Sequence, residues 1–130
     1  MSLQFLQPSG WPRPKGYSNG IAASGQMIFV AGQIGWDANC QWQTDDLAEQ
    51  VRQTLVNTLA VLKAGGAGPE HVTRMTWYIT DKADYLRQAA RIGEIYRELM
   101  GKHYPAMAMV VVTALMEDRA KVEIETTAVV

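Results

Sequence analysis

Residues 104–113 read YPAMAMVVVT, an apolar run that contains no charged residue. A continuous apolar run of this length predicts a strand, here over about 106–113, that is buried on both of its faces. A charged segment at 117–119 follows and is typical of a turn. The run therefore predicts one strand of a β-sheet that ends at a charged turn.

After that turn, residues 121–129 read KVEIETTAV, in which polar and apolar residues alternate. Alternation with a period of two predicts a strand, here over about 120–129. Because successive side chains of a strand point to opposite faces, Glu123 and Glu125 lie on the same face. An uncharged strand is thus followed by a strand that presents two carboxylates.

Two segments upstream carry apolar residues at helical spacing. The first predicted helix begins after Asp46, the expected N-cap with Glu49 three residues on, and ends at Gly65. Its apolar stripe comprises Leu47, Val51, Leu55, Leu59 and Leu62. The second predicted helix runs from about Tyr85 to Met100. Its stripe comprises Tyr85, Ala89, Ile92, Tyr96 and Leu99.

Three further strands are predicted, over 17–24, 27–33 and 72–80, behind an extended, irregular leader at 1–16 that is rich in proline and glycine. The order β-β-α-β-α-β-β indicates parallel crossovers around each helix, with a hairpin at either end. Two helices cover only one face of such a sheet. We therefore expect the other face to pack against further copies of the chain.

The chain has 130 residues, of which 48% are hydrophobic and 19% charged, and its net charge is −1. These values fit one domain over residues 1–130 with a substantial core. The scattered basic residues argue against a nucleic-acid partner. No apolar run is long enough to span a membrane and no signal-peptide pattern is present, so we expect a cytoplasmic protein.

Several segments together resemble the RidA/YjgF family of reactive-intermediate deaminases, also labelled endoribonuclease L-PSP. The chain lacks the family's proline before Tyr17 and has Ala31 in place of a serine, but the motifs occur in the family's order. They are GYS at 16–18, FVAGQI at 29–34, the helix 50–62 with AGG at 64–66, VTRMTWYITD at 72–81, PA at 105–106 and VEIE at 122–125.

The resemblance implies an α+β, chorismate-mutase-like fold that forms a homotrimer, with the sheets around a central barrel and ligand clefts between subunits. It also implies hydrolysis of an imine or enamine to a carbonyl compound and ammonia. By this resemblance Glu123 is the catalytic residue that positions water, while Tyr17 and Gly32 line the cleft. Glu125 is the weaker candidate. No cofactor or metal is implied.

Met107 stands where the family has the arginine that binds the substrate's carboxylate. A thioether is neutral and supplies contact area without binding an anion. Losing a bidentate pair of this kind costs a carboxylate ligand about 2–5 kcal/mol. The ligand therefore lacks that carboxylate, or another cation binds it, or the cleft is not catalytic. Lys15, Arg91 and Arg119 are candidates for such a cation.

Three functions follow in order of preference. The first is a deaminase-type hydrolase whose small-molecule substrate lacks the usual carboxylate contact. The second is a trimer that binds a metabolite without catalysis. The third is a single-strand ribonuclease or translation inhibitor, against which the neutral charge balance argues. Both histidines, His71 and His103, stand at apparent strand starts and lack the spacing of metal ligands.

Overall fold

The computed structural model describes residues 3–130 and has the expected α+β architecture. In chain order, the strands and helices are β1 (Gln4–Leu6), β2 (Gly20–Ala22), β3 (Met27–Ile34), α1 (Leu47–Ala64), β4 (Val72–Ile79), α2 (Lys82–Arg87), α3 (Ala89–Met100), β5 (Ala106–Val111) and β6 (Val122–Val129). The strands β1 and β2 form a small antiparallel sheet, so part of the predicted leader is a strand. Residues 1 and 2 of that leader lie outside the described part of the chain.

The four-stranded sheet has the order β3-β6-β4-β5. Strands β4 and β5 are parallel neighbours on either side of α2 and α3, as predicted for a crossover. Both predicted hairpins are wrong. Strand β2 pairs with β1, and β6 lies between β3 and β4 rather than beside β5. The reason is burial: Val122, Ile124 and Ala128 are fully buried, which a central position provides.

Helix α1 begins where the sequence predicts. The carboxylate of Asp46 accepts a hydrogen bond from the backbone N–H of Glu49 at 3.1 Å, which satisfies a donor that the first turn leaves free. Val51, Leu55 and Leu62 are fully buried against the sheet. The predicted stripe of α1 therefore packs into the core against the helix-facing side of the sheet, together with residues of α3 such as Ile92.

The second predicted helix is two helices, because the chain breaks at Gln88. The backbone N–H of Gln88 bonds to the carbonyls of Asp84 and Tyr85, and its side chain bonds to the Asp84 carboxylate at 3.0 Å. The break turns Ala89 to the surface and places Ile95 in the core. Helix α2 also begins earlier than predicted, with Asp81 as its N-cap.

All helices pack on one face of the four-stranded sheet, which we call the covered face; the other is the open face. Phe29 on the open face is 71% exposed, and Val110 on the edge strand β5 is 43% exposed. The prediction that the strand at 106–113 (β5) is buried on both faces is therefore wrong for a single subunit. The expectation that the helices leave one face uncovered is confirmed.

Within residues 3–130, every helix is too short or too polar to cross a lipid bilayer.

Candidate functional site

The structure divides the predicted site residues into two pairs on opposite sides of the sheet, namely Glu123 with Gly32 and Tyr17 with Met107. Glu123 is opposite Tyr78 in the ladder between β6 and β4, on the open face. Met107 is opposite Met75, whose side chain is fully buried on the covered face. A single subunit therefore brings Glu123 and Gly32 together, and separately Tyr17 and Met107, but not all four.

On the open face, the carboxylate of Glu123 lies directly over Gly32. A Cβ atom at Gly32 would stand 2.2 Å from Glu123 Oε2 and 2.8 Å from its carboxyl carbon, so the absence of a side chain creates this arrangement. Within residues 3–130, Glu123 has no hydrogen-bonding or ionic partner for its side chain. It is half-buried, and its oxygens remain available to a water molecule or a ligand.

Glu125 lies on the same face but is engaged. Its Oε1 accepts a hydrogen bond from the hydroxyl of Tyr78 at 2.7 Å. This bond, with a smaller contribution from desolvation, raises the pKa of Tyr78 above its ordinary value. The structure thus distinguishes two carboxylates that the sequence presents alike, and leaves Glu123 as the freer one.

On the covered side, Tyr17 and Met107 line a cleft of about 490 Å³ between α3, β5 and the segment 15–17. Ser18 holds that segment beside the start of β5. Its backbone N–H donates to the carbonyl of Pro105 at 2.9 Å, and its hydroxyl donates to the carbonyl of Tyr104 at 2.5 Å. These two bonds place Tyr17 at the cleft.

Aromatic residues and methionines make up half of the residues that line the cleft. The rings of Tyr96 and Tyr104 stack at 5.5 Å, and the hydroxyl of Tyr96 donates to the carbonyl of His103 at 2.6 Å. Burial raises the pKa of Tyr96 above its usual range, so this tyrosine stays neutral even at alkaline pH. The other aromatic and sulfur-containing residues of the wall are Tyr17, Trp77, Tyr85, Met107 and Met109.

Two cations, Lys15 and Arg97, line the same cleft. Of the three cations considered from the sequence, only Lys15 reaches it. Arg91 bonds to Asp46 at 3.1 Å, and Arg119 bonds to Asp45 at 3.0 Å. Arg97 was missed because a charged residue on an amphipathic helix is normally solvated.

One signal in the sequence points to Arg97, namely the glycine four residues before it. Residues four apart lie one above the other on a helix, and a Cβ at Gly93 would stand 3.3 Å from the Nη1 atom of Arg97. The guanidinium therefore lies along the helix surface at the cleft, over a position that carries no side chain.

Metal and histidine chemistry have little support in the described part of the chain. Residues 3–130 contain no group of three or more His, Cys, Asp or Glu side chains placed to hold a metal ion. His103 Nε2 lies 2.6 Å from the carbonyl of Val72, and His71 Nδ1 accepts a bond from the backbone of Gly68 at 3.0 Å. Each imidazole therefore has one ring nitrogen engaged by a backbone group, and neither lines the cleft that contains Tyr17 and Met107.

Sequence and structure comparisons with known proteins point to one family. Residues 12–130 match the family described as Endoribonuclease L-PSP. A RutC family protein of Pyrococcus horikoshii is 37% identical over 88% of this chain and 87% of its own. The human 2-iminobutanoate/2-iminopropanoate deaminase is 31% identical over 87% of this chain and 79% of its own. The crystal structure of YyfB, a Rid family protein of unknown function from Yersinia pestis, superposes with a TM-score of 0.85 at 31% identity and covers 100% of both chains.

Proposed function

The chain belongs to the Endoribonuclease L-PSP (RidA/YjgF) family, and from this premise we propose that it is a hydrolytic deaminase of an imine or enamine metabolite. Water adds to the carbon of the C=N bond, a proton passes to the nitrogen, and the resulting carbinolamine releases ammonia and leaves a carbonyl compound. The human relative whose name specifies an imine deaminase supports this reaction class.

The carboxylate of Glu123 is the observation that carries the proposal. It is half-buried and lies over the bare backbone of Gly32, and within residues 3–130 its side chain has no partner. A carboxylate in this state accepts a hydrogen bond from water and receives its proton as the water attacks. The close approach of Gly32 leaves its backbone groups near the reacting atoms.

A second copy of the chain completes the proposed site. Glu123 and Gly32 lie on the open face, whereas Tyr17 and Met107 lie on the covered side. Assembly as a homotrimer, with the open faces around a central barrel, would cover exposed apolar residues such as Phe29. The ligand cleft then lies between subunits, each of which contributes one pair of residues.

The proposed substrate lacks the usual carboxylate contact at position 107. Met107 is neutral, and its thioether packs against the core rather than binding an anion. The position whose side chain binds a carboxylate elsewhere in the family therefore provides only apolar contact here. We expect small amino-acid-derived imines to bind weakly.

The test is ammonia release from imines generated in situ, both with a carboxylate (2-iminopropanoate) and without one. Glu123→Gln keeps the size of the side chain but removes the base, so we expect turnover to fall by about 10²–10⁴. Glu125→Gln is the matched control on the same strand and should retain most of the activity. Absence of ammonia release from every imine, or full activity in Glu123→Gln, would refute the proposal.

A second candidate function is metabolite binding without catalysis, and the apolar wall around Met107 favours it. In that case Met107→Arg leaves the assembly folded and creates no turnover. If the substitution instead raises an activity already present in the natural chain, binding alone is insufficient as a description. The ribonuclease function ranks third, because the net charge of −1 does not favour binding to a polyanion.

A further inference from the structure

The cleft between α3 and β5 carries a positive charge that the sequence comparison does not explain. Its lining includes Lys15 and Arg97 but no Asp or Glu. Within residues 3–130, neither of these cations forms an ion pair. By contrast, Arg91 on the same helix bonds to two acidic residues, Asp46 and Glu49. A cation without a counter-charge beside an apolar wall is suited to hold an anion.

We infer that Arg97, assisted by Lys15, binds the anionic group of this protein's ligand, in place of an arginine at position 107. The guanidinium lies over Gly93, where a Cβ would stand 3.3 Å from Nη1. Arg97 is exposed and lines the cleft, so the N–H donors of its guanidinium are open to solvent or ligand. Position 107 supplies apolar contact, and the anion site is displaced onto α3.

The rest of the wall selects the body of the ligand. Trp77 is 3% exposed and lies beneath the cleft with Tyr96, and the two methionines on β5 line its other side. A volume of about 490 Å³ falls within the range of ligand pockets. Such a surface fits an aromatic or bulky aliphatic group. The ligand class is therefore a monocarboxylate with a large apolar side chain.

This inference rests on the proposed function in one respect. If the cleft serves the deamination, the substrate is a 2-imino acid with an aromatic or bulky apolar side chain, and Arg97 sets that specificity. Ligand binding and turnover are nevertheless separable. Binding depends on the cleft on the covered side, and turnover depends on Glu123 on the open face.

Calorimetric titration with 3-phenylpropionate tests the anion site, and its neutral amide serves as the matched ligand. The natural chain should bind the carboxylate at least about tenfold more tightly than the amide, since a bond to a charged group is the stronger. Arg97→Met should lower affinity for the carboxylate by about 10- to 100-fold and leave affinity for the amide unchanged. Arg97→Lys should restore part of the loss.

Arg87→Met is the control variant, because Arg87 is exposed, pairs with Asp84 and does not line the cleft. It should leave the affinity for both compounds unchanged. Equal affinity for carboxylate and amide, no binding at millimolar concentration, or an unaltered Arg97→Met variant would overturn the inference. Carboxylate binding that depends on Arg97, without ammonia release from any imine, would instead support the inference and refute the proposed deaminase. Ammonia release that is unchanged in Arg97→Met would support the proposed deaminase and overturn the inference about Arg97.

Discussion

The covered and open faces of the four-stranded sheet are built from the same strands and differ in what lies on them. On the covered face, Met75 and Ile124 are fully buried beneath the helices. On the open face, Phe29 is 71% exposed and Glu123 has no partner for its carboxylate within residues 3–130. One face stabilises the subunit, and the other leaves apolar and acidic groups uncovered, for which we propose a second subunit and a substrate. Four substitutions test this division.

The largest effect is expected for Ile124→Ala on the covered face. Ile124 is fully buried at the centre of the sheet, so truncation removes apolar contact and leaves a cavity. We expect the free energy of unfolding to fall by about 2–5 kcal/mol. Urea denaturation at several protein concentrations measures this free energy, and its decrease should be the same at each concentration. A loss below about 1 kcal/mol would contradict the core described above.

Gly32→Ala should separate activity from stability on the open face. The added Cβ would stand 2.2 Å from Glu123 Oε2, which forces the end of a flexible side chain to move. Displacement of a catalytic group by about 1 Å costs on the order of 100-fold in rate. We expect the turnover number to fall by up to that factor while the urea midpoint stays nearly constant. Unchanged turnover would show that the Glu123 carboxylate is not positioned by this contact.

Phe29→Asp tests whether the open face is an interface. If copies of the chain bury Phe29, a charge there removes about 1.5–3 kcal/mol of apolar burial for each subunit and adds a desolvation cost. Sedimentation velocity should show the assembly dissociating into smaller species. Leu86→Asp is the control, since Leu86 is 61% exposed on α2, away from the sheet. An assembly unaffected by Phe29→Asp would refute the proposed arrangement.

The smallest effect concerns two tyrosines on opposite sides of the sheet. Burial raises the pKa of Tyr96, whereas the hydrogen bond to Glu125 raises that of Tyr78. Below the ordinary tyrosine pKa of about 10 the phenol is neutral in both states, so the stability from Tyr96 is fully present. Above it only the unfolded chain ionises, and this stability is lost as pH rises towards the folded pKa.

The measurement is the free energy of unfolding between about pH 10 and pH 11.5. Tyr96 should contribute a decrease of up to about 1.4 kcal/mol per pH unit, and Tyr96→Phe should make the profile correspondingly flatter. Because burial rather than an exposed charge causes this shift, added salt should change the difference little. An identical slope in the variant would mean that the hydroxyl is hydrated in the folded state.

Local features of the fold were predictable from sequence, and long-range ones were not. The start of α1 follows from Asp46 and Glu49, because a cap is a contact between near neighbours. The break at Gln88 escaped prediction because the apolar spacing of four, three and four continues across it. The place of β6 between β3 and β4 also escaped, because the charged turn before β6 is equally typical of a hairpin.

The candidate site was only partly predictable for the same reason. The motifs identify Glu123 and Met107, but only strand register shows that the two side chains leave the sheet on opposite faces. Arg97 belongs to no motif; the glycine four residues before it indicates only an uncovered helix position, and its place at the cleft follows from the fold, which brings α3 beside β5. The chemistry of a side chain can be read from the sequence, whereas its neighbours in space depend on the tertiary structure.

The central place of β6 has a consequence for biosynthesis. Strands β3 and β4 both pair with residues 122–129, which the ribosome makes after every other strand and helix described here. Helix α1 is able to form early from local contacts, but its apolar stripe is not fully buried until the sheet is complete. During translation the nascent chain therefore exposes β3 and β4 with unpaired backbone groups, a state that binds chaperones or neighbouring chains. Closure of the sheet is a late, single event.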